Sequence, residues 1–153
     1  MITYTSIRKG IRNENKAKVA QLEKNKPAFP ILTKYAKKFS EHESIYNKEK
    51  RYAYVSYQWS WAFSEPKLIL GPAENEGPEE ALKVIDEMIR DKDLEMTRPL
   101  DKEIDRDTGK LQAEFHLRES EVGFDVEIDL TRSLECRRVG TGKYDERMEY
   151  RCF

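Results

Sequence analysis

The clearest pattern in the chain runs from Arg51 to Phe63, where the side chains alternate with a period of two. One set of alternate positions holds Ala53, Val55, Tyr57, Trp59, Trp61 and Phe63, and the other holds Tyr52, Tyr54, Ser56, Gln58, Ser60 and Ala62. Successive side chains of a strand point to opposite faces, and aromatic and β-branched residues suit a half-buried pleated surface. We therefore predict a central β-strand with the first set buried.

Two other segments carry apolar residues at helical spacing. The first is Ile31–Phe39, which follows Pro30 and has Lys34, Lys37 and Lys38 on its polar side. We predict that this helix lies on the sheet and ends near Ser40–Ser44. The second opens at Pro78, has Glu79 and Glu80 in its first turn, and should end near Lys92. A weaker stretch, 13–24, predicts a peripheral helix because it has few apolar anchors.

The remaining periodic segments predict strands. They are a short first strand within 2–8, a hairpin partner for the aromatic strand at Lys67–Leu70, and strands near 100–104, 111–117, 124–130, 134–139 and 147–153. In 124–130 the acids Asp125, Glu127 and Asp129 alternate with apolar residues, which predicts one buried face and one exposed face. Pro99 places its own segment at an edge or a bulge, and Gly109 closes a turn with positive φ.

These elements predict an α+β fold. We expect 1–153 to be a single α+β domain with a mostly antiparallel sheet of about six or seven strands and two or three helices on one face. No apolar run reaches the roughly 18 residues that a membrane helix needs, and the N-terminus lacks a secretory apolar core. With two cysteines, Cys136 and Cys152, a disulfide framework is not expected, which favours a reducing, cytoplasmic location.

The net charge of −1 conceals an asymmetry along the sequence. Residues 1–52 hold 13 Lys and Arg against five Glu, a net charge of +8, and the remaining residues carry −9. Such a split indicates either a basic binding face or two solvated faces that attract each other within the fold.

Two groups of residues could carry function. His116 lies on the predicted polar side of its strand, and with Asp125 and Glu127 it could form an acid–base or metal-dependent hydrolase site. Alternating acids also simply keep an exposed sheet face soluble. The other group is Tyr52, Tyr54, Arg51, Lys34, Lys37 and Lys38, which could stack bases and hold phosphates. The other interpretation, which we favour, is that the two tyrosines pack beneath the helix of Ile31–Phe39.

The sequence contains none of the motifs that would identify a reaction. The Asp105–Lys110 stretch lacks the ligand spacing of a calcium loop, and the cysteines, on strands that could be partners, have no nearby histidine or C-x-x-C spacing. No cofactor or metal ion is expected. We therefore expect a non-enzymatic protein that binds another protein, such as a small inhibitor or adaptor of the phage or mobile-element type. The alternatives are a nucleotide or single-stranded nucleic-acid binder, and a metal-dependent hydrolase centred on His116.

Overall fold

The structure is a computed structural model that describes residues 3–5, 7, 16–40, 51–57, 65–74, 76–133, 136–140 and 148–152. Within these ranges the chain is α+β, with three long helices, a five-stranded sheet and a two-stranded sheet. The helices are α1 (Lys16–Asn25), α2 (Ala28–Ser40) and α3 (Glu79–Arg90). The strands are β1 (Tyr52–Tyr57), β2 (Pro66–Gly71), β3 (Leu94–Arg98), β4 (Lys110–Leu117), β5 (Gly123–Asp129), β6 (Cys136–Gly140) and β7 (Met148–Cys152).

The larger sheet has the strand order β1-β2-β5-β4-β3. Its neighbours pair antiparallel except β2 and β5, which run parallel. The prediction of one sheet with six or seven strands was wrong, because β6 and β7 pair with each other in a sheet of their own. The predicted central position of the aromatic strand was also wrong, since β1 is an edge strand of the described sheet. Its alternating pattern reports burial of one face, and an edge strand can have that as well as a central one.

The core lies between one face of this sheet and the helices. In register across the sheet, Val55 of β1 meets Leu68 of β2, which meets Val126 of β5 and then Ala113 of β4, and all four are fully buried. Helix α2 packs on β1 and β2 and buries Phe29, Leu32, Tyr35, Ala36 and Phe39. The alternation of these strands and the stripe of this helix were predicted, and both are confirmed.

The helices largely follow their sequence signals. Helix α3 begins directly after Pro78 with Glu79 and Glu80 in its first turn, and α1 buries Leu22, as an amphipathic segment should. The predicted first strand was wrong: Tyr4, Thr5 and Ile7 are helical, and the Ile7 N–H donates to the Thr3 carbonyl oxygen over 3.1 Å. A helical turn satisfies its backbone locally, whereas a strand needs a partner.

Two local predictions in the second half are confirmed. Gly109 takes φ of +71°, and its N–H closes the turn by donating to the Asp105 carbonyl oxygen over 2.7 Å. Strand β3, which ends just before Pro99, is an edge strand of the described sheet with a register shift between Met96 and Arg98. The predicted strand at 100–104 was wrong, because those residues belong to no strand: a proline cannot donate a ladder hydrogen bond, and the strand ends before Pro99.

The β6–β7 sheet contacts the rest of the fold at that same turn. The Tyr150 N–H of β7 donates to the Arg106 carbonyl oxygen, and a Cβ atom on Gly109 would lie 3.1 Å from the Tyr150 ring. Gly109 therefore serves both the turn and the close approach of β7. Among the described helices, none has the length and apolar character needed to cross a membrane.

Candidate binding surface

The face of the large sheet opposite to α2 is polar, and it holds most of the residues named as candidate sites. We call it the polar face. Ser56, Lys67, Asp125 and Glu114 form one row across it, and Tyr54, Ile69, Glu127 and Gln112 form the next. Because directly opposite residues of paired strands share a face, the register alone brings these side chains together.

Tyr52, Tyr54 and Arg132 form a cluster at the β1 edge of this face, which we call the tyrosine patch. The two rings are stacked, with centroids 6.1 Å apart and planes 20° apart, and the Arg132 guanidinium lies 5.1 Å from the centre of the Tyr52 ring. The Tyr52 hydroxyl donates to Asp129 Oδ2 over 2.7 Å. Tyr54 keeps 40 % of its surface exposed and Arg132 is also exposed, so these are the members of the patch that a ligand could cover.

Asp129 fixes the tyrosine patch by accepting the hydrogen bond of the Tyr52 hydroxyl. Burial alone would raise the pKa of Asp129, but hydrogen bonds from Thr131 and Tyr52 outweigh it and hold that pKa below its usual value. Burial and the same hydrogen bond raise the pKa of the Tyr52 hydroxyl. The pair therefore stays a tyrosine hydroxyl donating to a carboxylate through the neutral pH range, and the ring position is fixed.

Glu127 was predicted to be exposed, and that prediction was wrong, because the residue is only 1 % exposed. Its Oε1 atom lies 3.4 Å from Lys67 Nζ and 3.1 Å from Gln112 Nε2, and its Oε2 atom lies 3.2 Å from Lys110 Nζ. These three long side chains come from β2 and β4 on either side of β5 and close over the carboxylate. Glu127 is thus the centre of an ion-pair network. The cross-strand row that contains Glu127 is separated from the row that contains His116 by the row of Asp125 and Glu114.

His116 lies at the opposite end of the polar face with Glu65, Glu114 and Asp125. Its Nε2 atom is 3.4 Å from Glu114 Oε1, and its ring packs over Gly123, where a Cβ atom would lie 2.6 Å from the ring and 3.2 Å from Glu65 Oε1. Burial, followed by repulsion from Asp125 and Glu114, raises the pKa of Glu65. Burial, followed by repulsion from Glu114, also raises the pKa of Asp125.

This cluster combines the predicted His116 and Asp125 but not Glu127. Carboxyl groups with raised pKa values hold their protons to higher pH, which suits proton transfer. Within the described ranges, no group of three or more His, Cys, Asp or Glu side chains is arranged to hold a metal ion. The cluster can accept protons, and the histidine side chain is half-buried against its neighbours.

Arg51, named as a binding residue, is buried inside the fold. Its Nε atom donates to Glu76 Oε1 over 2.7 Å, with side-chain exposures of 5 % and 2 %, and its guanidinium lies 5.5 Å from the centre of the Phe39 ring. The pair joins the start of β1 to the loop before α3. Arg51 therefore holds elements together and does not present its charge to a ligand on the surface.

Lys34, Lys37 and Lys38 are exposed on α2, as predicted, but they lie on the other side of the sheet from the tyrosines. Helix α2 packs against the face that carries Val55, whereas Tyr52 and Tyr54 point to the polar face. Lys38 is also paired with Glu87 of α3. The structure thus separates the basic helix from the tyrosine patch by the thickness of the sheet.

Among the cavities lined by described residues, two lie on the helical side. An open groove of about 460 Å³ is lined by Ile31, Leu117 and Arg118 among others, and a smaller cavity of about 110 Å³ adjoins Arg51 and Phe39. Neither of these two contains Tyr52, Tyr54 or His116 in its lining.

Sequence reasoning missed Arg132, Glu65 and the glycines beneath the polar face. Arg132 follows β5 in sequence and reaches Tyr52 because of the long-range order of the strands, which no local pattern reveals. Gly71 is the other case: a Cβ atom there would lie 2.1 Å from the Tyr52 ring, so the ring packs on bare backbone. The second half of the predicted aromatic strand, 58–63, with both tryptophans, lies outside the described residues.

Comparison with known proteins gives no match: no protein-family model, no curated protein and no solved structure is similar to this chain.

Proposed function

We propose that this chain is a non-enzymatic binding protein whose tyrosine patch contacts a protein partner. The observation that carries the proposal is the stacked Tyr52–Tyr54 pair, anchored through Asp129, with Tyr54 left exposed on the polar face. Tyrosine and arginine are the residue types that most often dominate the energy of protein interfaces. We also propose a cytoplasmic setting, in which the chain acts as a small inhibitor or adaptor.

Rigidity of the patch supports this role. The Tyr52 ring is held by its hydroxyl bond to Asp129, by Arg132 and by the backbone of Gly71. Ordering a mobile side chain at an interface costs roughly 0.5–1.5 kcal/mol. Tyr54 stacks on the Tyr52 ring, which is already fixed in the folded protein. Most of the entropy cost of ordering Tyr54 is therefore incurred on folding and not on binding.

Charge favours a protein over a nucleic acid as the partner. Counted over the described residues, the whole polar face and its border carry six carboxylates and four cations. The carboxylates are Glu65, Glu95, Glu114, Asp125, Glu127 and Asp129, and the cations are Lys67, Arg98, Lys110 and Arg132. Single-stranded nucleic acids need an extended positive groove beside the stacking rings, whereas the described part of this face has more carboxylates than cations. The exposed lysines of α2 cannot supply that groove from the far side of the sheet.

Acid–base chemistry at His116 is a weaker candidate. Its predicted partner Glu127 is engaged by Lys67, Gln112 and Lys110, and the remaining carboxyls repel one another. The same arrangement supplies what a protein interface uses: a half-exposed charged region that selects partners of opposite charge and speeds their approach. We therefore assign the His116 end of the face to electrostatic complementarity with a basic region of the partner.

The test is a pull-down from native cytosol with the immobilised chain, comparing wild type with Tyr54→Ala. A partner identified by mass spectrometry from the wild-type chain is then purified, and its affinity for each variant is measured by calorimetry. We expect Tyr54→Ala to weaken binding by a factor of about 30, since truncating a central interface tyrosine costs ~2 kcal/mol. Tyr54→Phe should stay within a few-fold of wild type because it keeps the stacked ring.

Lys37→Ala is the matched control, since Lys37 is exposed on α2 behind the sheet. It should leave the affinity unchanged, and urea unfolding should show that all three variants are folded. Equal binding by wild type and Tyr54→Ala would reject the patch as the contact surface. Recovery of nuclease-sensitive material whose binding depends on Lys37 and falls steeply with salt would support the nucleic-acid alternative instead.

A further inference from the structure

The chain has two cysteines, and the structure places their backbones opposite each other on two paired strands. Cys136 begins β6 and Cys152 ends β7, and the two residues are Cα partners in the antiparallel pairing of these strands. The sequence placed them on strands that could be partners, and the pairing is confirmed. Fifteen residues, Arg137–Arg151, separate them along the chain, so their meeting follows from the hairpin register and not from local spacing.

Direct opposition in an antiparallel ladder satisfies the main geometric condition for a disulfide. Residues facing each other in such a pair have Cα atoms about 4.5–5.5 Å apart, and disulfide bonds join residues whose Cα atoms are about 4.4–6.8 Å apart. Directly opposite residues also lie on the same face of their sheet. Bond formation between positions 136 and 152 therefore requires no change of register and no displacement of a strand.

We propose that Cys136 and Cys152 are a redox-active pair that forms an intramolecular disulfide. The oxidant is a low-molecular-weight disulfide such as oxidised glutathione, and the bond forms by thiol–disulfide exchange. One cysteine thiolate attacks a sulfur of the external disulfide, which forms a mixed disulfide and releases one glutathione thiolate. The second cysteine thiolate attacks the protein sulfur of that mixed bond and releases the other glutathione thiolate. Both cysteines are oxidised, two glutathione molecules leave reduced, and the two protons lost by the thiols pass to solvent or to the released thiolates.

The bond would close the open end of the β6–β7 hairpin. A two-stranded sheet is marginally stable alone, and here it is tied to the fold by the Tyr150 N–H bond to the Arg106 carbonyl oxygen. Tyr150 is two residues before Cys152 on β7 and approaches Gly109. Oxidation would therefore hold β7 on the Asp105–Gly109 turn, and reduction would let it separate more often. None of these residues belongs to the tyrosine patch, so the inference stands independently of the proposed function.

The direct test equilibrates the folded full chain with glutathione buffers of increasing oxidised fraction and alkylates the remaining thiols. We expect the intact mass to fall by two hydrogen atoms with no alkylation. Tryptic digestion should yield the peptide Ser133–Arg137 joined to Cys152–Phe153. Cys152→Ser should instead give a single glutathione adduct at Cys136. In hydrogen exchange, the Tyr150 amide should exchange at least about tenfold more slowly in the oxidised chain, since cross-linking suppresses local opening.

Other products would overturn the proposal. Alkylation of both cysteines at every glutathione ratio, mixed glutathione disulfides without the joined peptide, or disulfide-linked dimers would each show that the two positions do not bond within one chain. A joined peptide with unchanged exchange at Tyr150 would reject the control of β7, because the bond would then have no effect on the hairpin.

Discussion

Replacing Arg51 by methionine is expected to destabilise the protein by about 3–5 kcal/mol, because it removes one partner of a buried ion pair. The substitution keeps an unbranched side chain of similar length over Phe39 and deletes the charge that faces Glu76. It separates the two roles that Arg51 could have: a structural arginine costs folding stability when replaced, whereas a surface binding residue costs affinity.

The magnitude follows from the burial of both partners. The Arg51 Nε and Glu76 Oε1 atoms are 2.7 Å apart, and neither side chain is more than 5 % exposed. Within the described part of the chain, the Glu76 Oε2 atom already has no hydrogen-bond partner. Without Arg51, the carboxylate loses its compensating charge where water cannot replace it. A loss of 3–5 kcal/mol is a large part of the roughly 5–15 kcal/mol that stabilises an ordinary domain.

Urea unfolding followed by circular dichroism measures the loss, and a double-mutant cycle assigns it. Glu76→Leu alone should cost a similar amount, because it leaves the Arg51 charge buried and unpaired. The double variant Arg51→Met with Glu76→Leu should recover most of the stability, because replacing both partners by apolar groups is often nearly neutral. The slope m of each unfolding curve should stay constant, so that the midpoints report stability alone.

A loss below about 1 kcal/mol for Arg51→Met, or losses for the two single variants that simply add in the double variant, would refute this reasoning. Either result would mean that the charges do not depend on each other in the folded state. Arg51 would then return to the set of candidate binding residues.

Two further stability predictions concern single positions. Gly109→Ala should cost at least about 1–2 kcal/mol, because φ of +71° disfavours a Cβ atom, which would also approach the Tyr150 ring. Gly140→Ala should change stability by less than about 0.5 kcal/mol, because no atom of the described residues lies within 4 Å of a new Cβ there. Urea midpoints compare the two variants, and equal effects would contradict the turn geometry. Asp125→Asn should stabilise the fold by about 0.2–1 kcal/mol at pH 7, since it removes the like charge directly opposite Glu114. The raised pKa of Asp125 means that its ionised form opposes folding above the folded-state pKa, so the gain should disappear as the pH falls below about 3, where Asp125 is protonated in both states; a gain that persists there would have another cause.

The candidate surface could be predicted only in part. The alternation in β1 correctly places Tyr52 and Tyr54 on one face and Val55 on the other, because strand geometry fixes that relation within a single segment. Which residues join the tyrosines could not be read in the same way. Lys34 is close to them in sequence but lies across the sheet, whereas Arg132 is distant in sequence and contacts Tyr52.

The sequence by itself determined the local elements: the stripes of α2 and α3, the alternation in β1, β4 and β5, and the turn at Gly109. Each of these depends on backbone periods and on φ preferences that act within a few residues. Only the tertiary structure decided that β1 is at the edge of the described sheet, that β2 runs parallel to β5, and that Glu127 is buried among Lys67, Gln112 and Lys110. These outcomes depend on which strands pair, and many pairings bury the same apolar faces equally well while giving each polar side chain different neighbours.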